Sequence, residues 1–86
     1  MKRKDRIYNI LKKNLENFKI NIIDNSAKHA GHNQFDGTGE THIYIELKAK
    51  KTIKINRIKI HREINELLKI EFENGLHSLE IKINQA

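Results

Sequence analysis

The sequence predicts an α+β domain in the order helix, strand, strand, helix or helix pair, strand. Its three-stranded mixed sheet is covered on one face by helices. Three observations predict this. Residues 41–48 and 76–83 alternate apolar and polar side chains with the period of two of a half-buried strand. Apolar residues near the start, and again between Ile60 and Leu68, recur at helical spacing instead. The second helical stretch lies between the second and third strands, and such a crossover lets the last strand run parallel to a neighbour.

In chain order, Ile7, Ile10, Leu11, Leu15 and Phe18 line one face of an amphipathic first helix, with Asp5 placed to cap or charge its beginning. Residues 19–24, KINIID, follow as a strand in which Ile20 and Ile22 flank Asn21. Residues 25–40 have neither period and read as a long loop, a kind of segment that is often functional or mobile. In the next strand Ile43, Ile45 and Leu47 share one face, while His42, Tyr44, Glu46 and Lys48 share the other. These two strands can pair as an antiparallel hairpin.

Residues 52–73 read two ways, because Ile53/Ile55 and Ile58/Ile60 alternate like strands while Ile60, Ile64, Leu67 and Leu68 follow helical spacing. We favour a helix beginning near Thr52 or Asn56, either one suited to an N-cap, and broken into two pieces. Asn74-Gly75 supplies its stop. The last strand places His77, Leu79, Ile81 and Ile83 on one face. This order is the KH-like α-β-β-α(-α)-β arrangement, with residues 1–86 as a single domain packed as one sheet under helices.

The composition narrows the chemistry. Only 37% of the 86 residues are hydrophobic and 33% are charged, enough for a thin core but not for a large enclosed substrate cavity. Seventeen Lys and Arg against eleven Asp and Glu give a net charge of +6, compatible with nucleic acid or an anionic surface and equally with a plain lysine-rich exterior. There is no cysteine, so a disulfide framework, a thiol nucleophile and an all-cysteine metal site within the chain are excluded. The basic opening MKRKDR is followed by no long apolar run, so it reads as neither signal peptide nor membrane span. The expectation is a cytoplasmic protein that does not enter a membrane.

The histidines are the sharper feature. His29, His32 and His42 fall within the fourteen residues HAGHNQFDGTGETH, and His77 opens the last strand. Neutral imidazole coordinates borderline metals, and a strand end holds it firmly. His77 also fits a half-buried strand-end histidine bonded to a backbone carbonyl. His29 and His32 can reach one ion from a turn, with His42 as a third ligand, but no carboxylate completes a familiar zinc spacing.

Catalysis has less support. Asp24, Ser26 and His29 are close in sequence, yet a triad needs a buried acid and an oxyanion hole that three neighbouring loop residues do not supply. Gly37-Thr38-Gly39 lacks the third glycine of a dinucleotide-binding loop and reads as a turn into the second strand. Nucleic-acid binding is better supported, although no glycine pair has the G-x-x-G spacing of a KH clamp. Its candidate surface is the basic helix with Arg57, Lys59 and Arg62, whose bland reading is a solvated face with an Arg62–Glu66 pair.

Taken together, D-N-S-A-K-H-A-G-H at 24–32, G-E-T-H-I at 39–43, Arg57 with the Ile/Leu run through Leu68, and L-H-S-L-E-I at 76–81 resemble the BolA family over almost the whole chain. Two departures stand out. Arg57-Ile58-Lys59 replaces the family's Arg-His-Arg, and Ala49-Lys50-Lys51 replaces its Phe-x-Gly turn. The resemblance implies a small non-enzymatic protein that partners a monothiol glutaredoxin and shares a [2Fe–2S] cluster with it. In that arrangement the glutaredoxin supplies a cysteine and bound glutathione a second thiolate. His77 would be one histidine ligand and His29 the other, with His32 as its alternative. The chemistry is coherent, because histidine replaces cysteine on one iron in Rieske centres. The family is also credited with DNA-binding regulation, the alternative for the helix surface. A monomeric apo form is expected.

Overall fold

The computed structural model describes residues 1–25 and 41–86. The elements are α1 (Arg3–Asn14), β1 (Phe18–Asp24), β2 (His42–Ala49), α2 (Arg57–Leu67), α3 (Lys69–Glu73) and β3 (Ser78–Asn84). The sheet order is β1-β2-β3, with β2 antiparallel to β1 and parallel to β3. The α+β order expected from the sequence is therefore the observed one, with the second helical stretch divided in two.

Register explains the alternation. Phe18, Ile20 and Ile22 face Ala49, Leu47 and Ile45 across the hairpin, and Ile43, Ile45 and Leu47 face Leu79, Ile81 and Ile83 across the parallel pair. Phe18, Ile22, Ile43, Ile45, Leu47, Ala49 and Ile83 form the core with Ile7 and Leu11 of α1, Ile64 of α2 and Leu68, and the half-buried Ile20, Leu79 and Ile81 pack against it. Ile45 and Leu47, on the central strand, are completely buried. Burying each such side chain stabilises the fold by about 1.5–3 kcal/mol before entropy is charged against it. On the opposite face of the sheet, Lys19, Asn21 and Lys48 are exposed.

Two expectations need correction. Phe18 does not close the first helix but opens β1. The helix stops at Asn14, and the Phe18 N–H then bonds the Leu15 carbonyl at 3.1 Å. That turn keeps Leu15 and Phe18 on the core side, so the apolar spacing outlasts the helix that it resembles. The second helical stretch does not begin at Thr52: Ile53 and Ile55 precede α2 and lie in neither helix nor strand. Both are half-buried against the core, and Ile53 is held by Gln85, whose amide oxygen accepts from its N–H and whose amide nitrogen donates to its carbonyl. Asn56 then caps α2, accepting from the Lys59 N–H at 3.1 Å.

One packing device was not visible in the sequence. Arg3 and Glu71, 68 residues apart, are both buried and joined at 2.8 Å between Nη1 and Oε1. Arg6 adds a two-pronged contact to the same carboxylate, Nε to Oε2 and Nη2 to Oε1, each at 2.9 Å. Arg3 also donates to the carbonyls of Glu71 and Asn74, both at 2.9 Å. It thereby gives the Asn74 carbonyl a donor just past α3 and adds to the Glu71 carbonyl, which also accepts from the Asn74 and Leu76 N–H groups. The Arg6 hydrogen bonds hold the Glu71 carboxyl below its ordinary range; burial opposes this and the two positive charges reinforce it.

Candidate metal centre

Because β2 and β3 are parallel, both begin at the same end of the sheet; His42 opens β2, and His77 immediately precedes β3. Gly75, with φ of 115°, turns the chain out of α3, and Leu76 is buried directly before His77. The His77 N–H then donates to the Thr41 carbonyl at 2.8 Å, and the Ser78 N–H donates to the same oxygen at 3.0 Å. The side chain of His77 is exposed while its backbone is fixed on both sides. The half-buried strand-end reading is thus corrected: the buried members of this segment are its neighbours.

His42 is the buried partner, 7% exposed despite lying on the open-face side of β2. Its ring lies 5.4 Å from that of His77, tilted by 49°, and its Nδ1 is 3.0 Å from the Thr41 hydroxyl. The Asn25 N–H donates to the His42 carbonyl at 2.8 Å, tying the end of β1 to the same corner. His42 therefore backs the exposed imidazole of His77. Sequence spacing had grouped His42 with the loop histidines. The signal for its real neighbour was the placement of Thr41-His42 and Leu76-His77-Ser78 at two strand starts, which only parallel pairing brings together.

Among the described residues no three His, Cys, Asp or Glu side chains are grouped to hold a metal ion. The described part of the corner can donate one exposed imidazole, and a complete coordination sphere must draw on other groups. His29 and His32 lie outside the described residues, as do Ser26, Gly37 and Gly39. Asp24 ends β1, opposite Ile43.

The basic helix surface is elsewhere. Arg57, Lys59 and Arg62 are all exposed on α2. Arg57 donates from Nη2 to the Ile83 carbonyl at 3.3 Å, so part of its hydrogen-bonding capacity ties α2 to the far end of β3. His77 precedes the start of that strand, so the two places are separated by roughly 20 Å of extended chain. Among the described residues no helix is long and apolar enough to cross a membrane.

With this architecture in view, the comparisons are decisive. The family model described as "BolA-like protein" matches residues 2–86. The chain belongs to the BolA family. It is 39% identical over 84 residues to the UV-induced protein uvi31 of Schizosaccharomyces pombe, covering 94% of this chain and 82% of that protein. The solved structure of BolA1 from Arabidopsis thaliana superposes with a TM-score of 0.77 at 34% identity, covering 99% of this chain and 93% of the other. The BolA domain of SufE1 from the same plant gives a TM-score of 0.76, also at 34% identity, covering 96% and 91%. The three-stranded mixed sheet with its helices is thus that of the solved BolA structures.

Proposed function

We propose that this BolA-like chain is a non-enzymatic interaction module that partners a monothiol glutaredoxin and co-ligates a [2Fe–2S] cluster with it. The observation that carries the reading is His77. It is an exposed imidazole on a backbone fixed by the Thr41 carbonyl and backed by the buried His42 ring. A ligand so held loses little freedom on coordination, and imidazole is a known substitute for thiolate at a [2Fe–2S] iron. The chain contains no cysteine, so in this reading the thiolates come from the glutaredoxin and from glutathione. His29 supplies the second imidazole, with His32 as its alternative. The cluster supplies iron sites for these donors. The chain's own part is to present neutral imidazoles and to keep His77 oriented.

The test is a titration of the protein into a cluster-loaded monothiol glutaredoxin, followed by visible absorption and circular dichroism. A new spectrum that is lost with His77→Ala and altered with His29→Ala or His32→Ala supports the reading. An unchanged spectrum with folded protein sinks it.

A second reading, a DNA-binding regulator using Arg57, Lys59 and Arg62, is favoured by the exposure of all three on one helix. It predicts binding that falls steeply with salt and is indifferent to His77.

A further inference from the structure

At the end of the β1–β2 hairpin remote from His77 lies a half-open cleft of about 690 Å³, within the usual size range of small-molecule sites. Tyr8 and Lys12 of α1 form one wall. Asn17, Phe18 and Lys19 at the start of β1, with Lys50 just past β2, form the other. The seven residue pairs of the hairpin ladder, spanning roughly 20 Å, separate this end from the histidine corner.

Its charges are arranged against the usual rule for sheets. Lys19 stands directly opposite Lys48 in the antiparallel register, and like charges in that relation repel. Lys50 follows two residues on, its N–H donating to the Asn17 carbonyl at 2.9 Å, which extends the pairing by one step. Lys12 completes the group from the helix, its ammonium 6.0 Å from the centre of the Tyr8 ring. All four lysines are exposed, and the ion pairs within 4.0 Å among the described residues join Arg3 and Arg6 to Glu71 instead. A cluster of cations beside an aromatic wall calls for an anion attached to a flat ring.

We infer that this cleft binds a small organic phosphate of the nucleoside polyphosphate class, its phosphates on Lys12, Lys19 and Lys50 and its ring against Tyr8. The anion offsets the repulsion that the bare lysines impose on one another. Glu16 also lines the cleft, and its carboxylate repels a phosphate chain continuing past that rim. A compact ligand therefore fits better than a through-running nucleic-acid strand.

The experiment is a titration of the full chain with ATP, tripolyphosphate, adenosine and a single-stranded oligonucleotide, each followed by backbone amide NMR shifts. ATP should saturate, with shifts centred on Tyr8, Asn17, Lys19 and Lys50, and should bind more tightly than either tripolyphosphate or adenosine. Lys19→Gln combined with Lys50→Gln should weaken ATP by about tenfold or more, the loss expected for charged hydrogen bonds. Because both lysines are exposed, the thermal midpoint of the double variant should not fall. Tyr8→Ala should reduce ATP to the affinity of tripolyphosphate, and His77→Ala should change nothing. Failure to saturate, shifts centred on α2, or equal binding of ATP and tripolyphosphate would each overturn the proposal. Tighter binding of the oligonucleotide at the same residues would overturn it in favour of nucleic acid.

Discussion

Replacing Glu71 by Gln keeps the size of the side chain and removes its charge. Glu71 accepts three contacts from two guanidinium groups: one from Arg3 at 2.8 Å and two from Arg6 at 2.9 Å. The two arginines are not equivalent. The Arg3 side chain is 8% exposed and that of Arg6 39%, against 7% for Glu71. Breaking a buried ion pair leaves an uncompensated buried charge and costs about 3–5 kcal/mol, whereas an exposed pair is worth about 0–1 kcal/mol. Arg3 keeps its two backbone acceptors, so the lower end applies, and Glu71→Gln should lose about 3 kcal/mol. Arg6→Gln should lose under about 1 kcal/mol. Urea unfolding at neutral pH measures both.

The same carboxylate sets a pH dependence. Its folded pKa is lowered from the ordinary 4.5, chiefly by the Arg6 hydrogen bonds. Its contribution is therefore complete above the unfolded value and is lost as pH falls through the lower folded value. Wild type should lose stability across that acid window, and Glu71→Gln should lose less. A Glu71→Gln loss below about 1 kcal/mol, or equal acid slopes for the two proteins, would refute the reasoning.

Three further outcomes follow from the structure. Gly75→Ala should cost about 1–2 kcal/mol in urea unfolding, because φ is 115° and the added Cβ would lie 3.2 Å from Arg3 Nη2. Asn56→Ala should cost about 1 kcal/mol by removing the cap on the Lys59 N–H, with amide exchange at the start of α2 accelerating first. His77→Ala should leave the apo protein's urea midpoint within about 0.5 kcal/mol of wild type, because the side chain is exposed; a larger loss would make His77 a packing residue.

The elements that could be read from the sequence are those whose order comes from local period. Isoleucine or leucine at every second position of 43–47 and 79–83 marked two strands, and helical spacing from Ile60 to Leu68 marked α2. Asn56 and Gly75 punctuated the helical stretch because capping and a left-handed turn restrict residue type. The misplaced Phe18 shows the limit of period, which reports the buried side of the chain and not the backbone that delivers it. The Arg3–Glu71 pair was illegible for another reason: ordinary surface residue types become buried only through a contact spanning 68 positions. At the candidate site, His77 was legible by its place at a strand start. The packing of His42 against it needed the parallel register.

That register also dictates when the histidine corner can exist. The hairpin β1–β2 and its helix α1 are sequential and can close on one another early. The β3 strand is the last element, and its alignment with β2 requires α2 and α3 to be traversed first. Non-local pairings of this kind form slowly. On a ribosome, a chain that has emerged only through α3 holds His42 without its neighbour. The corner is assembled only after β3 has emerged, so competence to present His77 coincides with completion of the sheet.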